Sequence, residues 1–130
     1  MKQVENKKKL QELDELQKVL KSGISNKLLI YDYNVTGSDY TIGFDITVEN
    51  THNSKTIKYI YFDVVIKNPV KDIVATKSVK GIGPIEPNTK SSYSFEDILY
   101  SKVASHMTLK NIKIQYMDGT IINLIKYIPL

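Results

Sequence analysis

His52 and His106 are the residues best suited to acid–base or metal chemistry near neutral pH. They sit in different segments of a chain without cysteine. Neither has a second ligand at helical spacing, so the zinc-protease pattern is absent. His52 reads as a solvated loop residue and His106 as a residue near a strand start. Glu96-Asp97 is the best acidic pair, with Asp118 elsewhere, but calcium wants several converging oxygens. These carboxylates read as solvated turn residues. Gly81-Ile82-Gly83 resembles the opening of a phosphate loop, yet Pro84 follows and no helix pattern comes after it. That stretch reads as a place where the chain changes sheets. Asn34-Val35-Thr36 is a formal glycosylation acceptor at a predicted strand end. No serine lies in a nucleophile elbow. The expectation is therefore no catalytic residue, no metal ligand and no cofactor.

The tyrosines carry a different kind of signal. There are nine, against three phenylalanines and no tryptophan, and Tyr31, Tyr33, Tyr59 and Tyr61 form two alternating pairs. Tyrosine suits strands because it buries its ring and keeps its hydroxyl wet. The same property makes an aromatic platform for a protein partner or a sugar.

The net charge of +4 comes from lysine, because the chain contains no arginine. Arginine supplies the bidentate fork for guanine edges and phosphates. Its absence, with lysines spread along most of the chain rather than in one stripe, argues against specific nucleic-acid recognition. At 130 residues the chain suits one domain. No stretch approaches a membrane span. The basic start Met1–Lys9 leads into a polar helix rather than the apolar run of a signal peptide. The protein either stays where it is made or has lost a leader, so its compartment is unknown.

Two kinds of element must position these residues. From Val4 to Lys21, Leu10, Leu13, Leu16, Val19 and Leu20 fall at spacings of three and four, predicting an amphipathic helix closed by Ser22-Gly23. Leu13, Leu16 and Leu20 form its candidate contact stripe, for self-association or for a protein partner. Residues 1–27 are thus helix and connector. From Leu28 the period becomes two. Leu29, Tyr31, Tyr33 and Val35 are read as one face of a first strand, and Gly37-Ser38-Asp39 as a turn. Tyr40–Asn50 alternates strictly, with Ile42, Phe44, Ile46 and Val48 on one face. Thr56–Asn68 follows as a central strand with Ile60, Phe62, Val64 and Ile66 inward.

Ile73–Lys80 reads as an edge strand, Gly81–Lys90 as an irregular crossing loop, Ser91–Phe95 as a short strand and Glu96–Ser105 as ambiguous. Leu109–Tyr116 and Ile121–Ile128 flank Met117-Asp118-Gly119-Thr120, where Asp-Gly predicts a two-residue hairpin turn with both residues at positive φ. Seven strands at this spacing predict an all-β domain over residues 28–130, preceded by an N-terminal α-helix: a seven-stranded antiparallel immunoglobulin-like β-sandwich.

Lys55-Thr56-Ile57-Lys58-Tyr59-Ile60, Gly83-Pro84-Ile85-Glu86-Pro87 and Tyr116-Met117-Asp118-Gly119-Thr120 together resemble an uncharacterised immunoglobulin-like domain of Bacteroides-type bacteria. It is related in style to the FxLYD group of accessory sandwiches, and Phe95–Tyr100 echoes that group's signature. The likeness spans Ile42 to Thr120. It implies an accessory or structural module, often exported, with no substrate. The functional expectation is a non-enzymatic protein-interaction or assembly module, of a cell surface or a phage particle. A small carbohydrate-binding module using surface tyrosines is the alternative.

Overall fold

Strict alternation along the second and third strands is what organises the chain. In the computed structural model, which describes residues 27–38 and 40–125, seven antiparallel strands form two sheets. They are β1 (Leu28–Gly37), β2 (Thr41–Asn50), β3 (Ile57–Lys67), β4 (Ile73–Ile85), β5 (Lys90–Tyr100), β6 (His106–Tyr116) and β7 (Ile121–Ile125). One sheet has the order β1-β2-β5 and the other β4-β3-β6-β7. The helix expected over Val4–Lys21, with Leu13, Leu16 and Leu20, lies outside the described residues.

The core fills the space between the sheets. Phe44 and Ile46 from β2 meet Phe62 and Val64 from β3, all buried as their alternation predicts. Phe44 and Phe62 touch edge to face with ring centroids 5.9 Å apart, and Phe95 stands 5.8 Å from Phe62. Such rings remove large apolar areas from water and favour this tilted geometry.

The two gaps between the sheets are each bridged by a tyrosine. On one side the Tyr33 hydroxyl donates to the Met107 carbonyl of β6 at 2.7 Å. On the other, the Tyr93 hydroxyl donates to the Ile82 carbonyl of β4 at 3.1 Å. Both bonds occupy backbone acceptors of the opposite sheet, which an open sheet edge otherwise leaves unpaired. Close approach on the Tyr93 side requires Gly81. A Cβ there would lie 2.8 Å from the Tyr93 ring and 2.9 Å from Ile60.

Several local expectations change. A bulge at Tyr31 shifts the β1 register between Ile30 and Asp32. Leu28 and Ile30 therefore face the core before it, and Tyr33 points inward after it, so Tyr31 and Tyr33 do not share a face. A bulge adds a residue to one strand and reverses parity, which alternation cannot reveal. The stretch read as a crossing loop from Gly81 is strand as far as Ile85, paired with Ile57 at its end, and contains a cis Gly83–Pro84 bond. Pairing survives the glycines and the proline because β4 is an edge strand. Of the ambiguous segment Glu96–Ser105, Glu96–Tyr100 belongs to β5, which has a bulge opposite Ile42–Phe44. Glu96 and Asp97 therefore sit within a strand, not on a turn. Asp97 takes a positive φ of 53° there.

The β6–β7 connection differs in turn type. Gly119 N donates to Tyr116 O at 3.0 Å, and Tyr116 N to Thr120 O at 2.9 Å. Gly119 has φ of 89°, while Asp118 is not among the positive-φ residues. This is the three-residue hairpin loop, a type I turn closed by a left-handed glycine, rather than the two-residue turn.

Candidate functional site

The outer face of β3 presents Tyr59 and Tyr61, half-buried, while Ile60 and Phe62 enter the core. Pairing then decides their neighbours. Tyr61 stands opposite Lys80 of β4 and Lys113 of β6, and Tyr59 opposite Ile82 and Gln115. The Lys80 ammonium lies 4.4 Å and the Lys58 ammonium 5.3 Å from the Tyr59 ring centroid. Lys113 stands 4.6 Å from that of Tyr61. The rings meet edge to face at 6.3 Å. Each contact stabilises by about 0.5–1 kcal/mol at an exposed site. Ile82 and Ile121 expose apolar surface on the flanks, at 68% and 53%. The lysines looked scattered in sequence; sheet register brings Lys80 and Lys113 to the two tyrosines, beside Lys58 on β3 itself.

The outer face of the three-stranded sheet has the opposite sign. Asp45 and Glu49 project from β2 and Asp32 from β1, with Lys90 of β5 opposite Glu49. Ser94 Oγ donates to Asp45 at 2.6 Å. Tyr31 donates its hydroxyl to Glu49 at 3.0 Å, and Lys90 Nζ lies 3.9 Å from the Tyr31 ring centroid. The hydrogen bond to Glu49 raises the Tyr31 pKa. Of the four tyrosines singled out in the sequence, Tyr59 and Tyr61 are brought together, Tyr31 lies on the other outer face and Tyr33 turns inward.

The histidines take separate places. His106 begins β6, exposed and opposite Lys67. His52 organises its loop: its Nδ1 accepts the backbone N–H of Ser54 and of Lys55, both at 3.0 Å. Its ring packs against Tyr116 at 5.4 Å. Desolvation, helped by Lys27 and Lys55, lowers its pKa and favours the neutral ring these bonds require.

Carboxylates likewise serve the fold. Asp118 accepts the Thr120 N–H at 2.8 Å and pairs with Lys55 at 3.1 Å. The Thr120 bonds, then Lys55, lower its pKa to about 2. Glu96 and Asp97 line a half-open polar hollow of about 280 Å³ with Thr36, Gly37, Ser38, Thr41 and Gly43. Typical ligand pockets are larger and mostly apolar. Among the described residues no three histidines or acids converge as a metal site.

Sequence did not mark Asn50 or Tyr93. Asn50 is a fully buried polar residue beneath the His52 loop, and its amide donates to Lys55 O at 2.8 Å and Ile85 O at 2.9 Å. A polar residue breaking the apolar end of an alternating strand was the available signal.

Neither protein-family models, curated proteins nor solved structures match this chain.

Proposed function

We propose that this chain is a non-enzymatic interaction or assembly module on an immunoglobulin-like sandwich, with the Tyr59–Tyr61 face as its recognition surface. The carrying observation is the convergence of Lys58, Lys80 and Lys113 on the two rings. Three outward ammonium groups on a flat sheet suit a partner that brings carboxylates. The immunoglobulin-like part of the proposal draws support from the pairings β2–β5 and β3–β6, which correspond to the B–E and C–F neighbours of those sandwiches. The resemblance to accessory bacterial sandwiches agrees with a module that binds rather than transforms. Sugar stacking is the weaker alternative, because lysines already cover the ring faces a sugar would use.

The test is a binding measurement on the full chain. Polyglutamate should bind. Lys80→Gln with Lys113→Gln should abolish the binding while the chain still melts cooperatively, its melting temperature lowered only by the loss of two contacts of about 0.5–1 kcal/mol each. Binding of a glycan array that disappears on Tyr59→Ala, with no polyglutamate binding, would instead establish the carbohydrate module.

A further inference from the structure

The two outer faces differ in net sign: lysines outnumber carboxylates around Tyr59 and Tyr61, and on the other face Asp32, Asp45 and Glu49 outnumber Lys90. On the four-stranded sheet, Lys80 and Lys113 flank Tyr61 in one row across three adjacent strands. Asp63, one step along β3, has its oxygens engaged by Ser78 and Asn111. On the three-stranded sheet, Asp45 and Glu49 project outward along β2, with Asp32 beside them on β1; each accepts one hydrogen bond from a neutral neighbour (Ser94, Tyr31 and Asn34), which leaves its charge in place. Neighbouring strands lie about 4.8 Å apart, and alternate residues along a strand about 6.8 Å. The lysine pair and the carboxylate pair therefore have spacings of about 10 Å and 14 Å, or less for single steps, within reach of flexible lysine stems.

From this complementarity we propose that the partner of the lysine face is a second copy of this chain, presenting its acidic Asp45–Glu49 face. The proposal rests on the lysine face being the recognition surface. Because the two surfaces are different and lie on opposite sides of the sandwich, the contact is heterologous. Each copy joined through its lysine face leaves its acidic face open, so assembly continues as an open stack. The narrower sheet, three strands wide and about eight residues long, offers about 400 Å² per partner. Stable complexes bury about 800 Å² per partner, so the association is weak and concentration-dependent. Charge dominates it, and salt weakens it strongly.

Sedimentation velocity on the full chain tests this. At about 20 mM salt the wild-type chain should form species that grow with concentration, and about 500 mM salt should weaken association about tenfold or more. Two variants, each shown by its melting curve to remain folded, divide the interface: Lys80→Gln with Lys113→Gln, and Asp45→Asn with Glu49→Gln. Each alone should be monomeric. Mixed, they should form one-to-one dimers that grow no further, because each retains the face the other has lost. A wild-type monomer at millimolar concentration and low salt overturns the proposal. So do variants that assemble like wild type, or a mixture that stays monomeric. A monomer that still binds polyglutamate through Lys80 and Lys113 loses self-recognition alone; one that binds neither loses the recognition surface as well.

Discussion

Replacing Asn50 by alanine should destabilise the sandwich more than any exposed substitution, although Asn50 lies at the end of a strand. Its amide donates to Lys55 O and Ile85 O, and its Oδ1 accepts the His52 N–H at 3.0 Å. Three side-chain bonds thus tie the end of β2 to the 51–56 loop and to the end of β4. The residue is fully buried, so water does not replace those bonds after truncation. At about 1 kcal/mol net per bond, Asn50→Ala should cost about 3 kcal/mol. For a domain of this size that lowers the melting temperature by about 12–20 °C. Asn50→Asp should cost more, since a carboxylate loses both donations and sets negative charge against two carbonyl oxygens. Thr47→Ala is the control: it removes the exposed Thr47–Ser92 bond and should change stability by less than about 0.5 kcal/mol. Urea denaturation of the three variants measures this. A loss below about 1 kcal/mol for Asn50→Ala would refute the proposed anchoring of loop and strand.

Three further outcomes follow from the same geometry. Phe62→Ala, which empties a position between Phe44, Tyr93 and Phe95, should cost about 3–5 kcal/mol in chemical denaturation. Gly119→Ala meets no neighbouring atom within 4 Å, so its cost of about 1 kcal/mol comes from the positive φ alone, and Gly119→Asn should recover part of it in a melting curve. The His52 pKa is lowered on folding, so the unfolded chain binds the proton first. Its stability contribution is full above pH 6.5 and falls as pH drops toward the folded pKa, and melting between pH 7 and 5 should show this in wild type but not in His52→Ala.

The strands β2 and β3 were legible because alternation is local: each inward residue sits two positions from the next, whatever its partners. For the same reason Phe44, Ile46, Phe62 and Val64 were identifiable as core, and Asp118-Gly119 as a hairpin. Where an extra residue enters a strand, local pattern misleads. The bulge at Tyr31 sends Tyr33 inward, and the bulge in β5 breaks the alternation over Glu96–Tyr100, which left that segment ambiguous in sequence. Choice among hairpin turns also escaped sequence, because Asp-Gly satisfies more than one of them and the cross-strand bonds of Tyr116 select between them. The candidate surface lies furthest from sequence. Lys58 adjoins Tyr59 in sequence, but Lys80 and Lys113 lie on β4 and β6, and only antiparallel register brings them to Tyr59 and Tyr61. Asn50 beneath its loop and the hydroxyls of Tyr33 and Tyr93 depend on the same long-range pairing. A residue's own strand sets which face it takes; the strands beside it and the sheet opposite determine what it meets there.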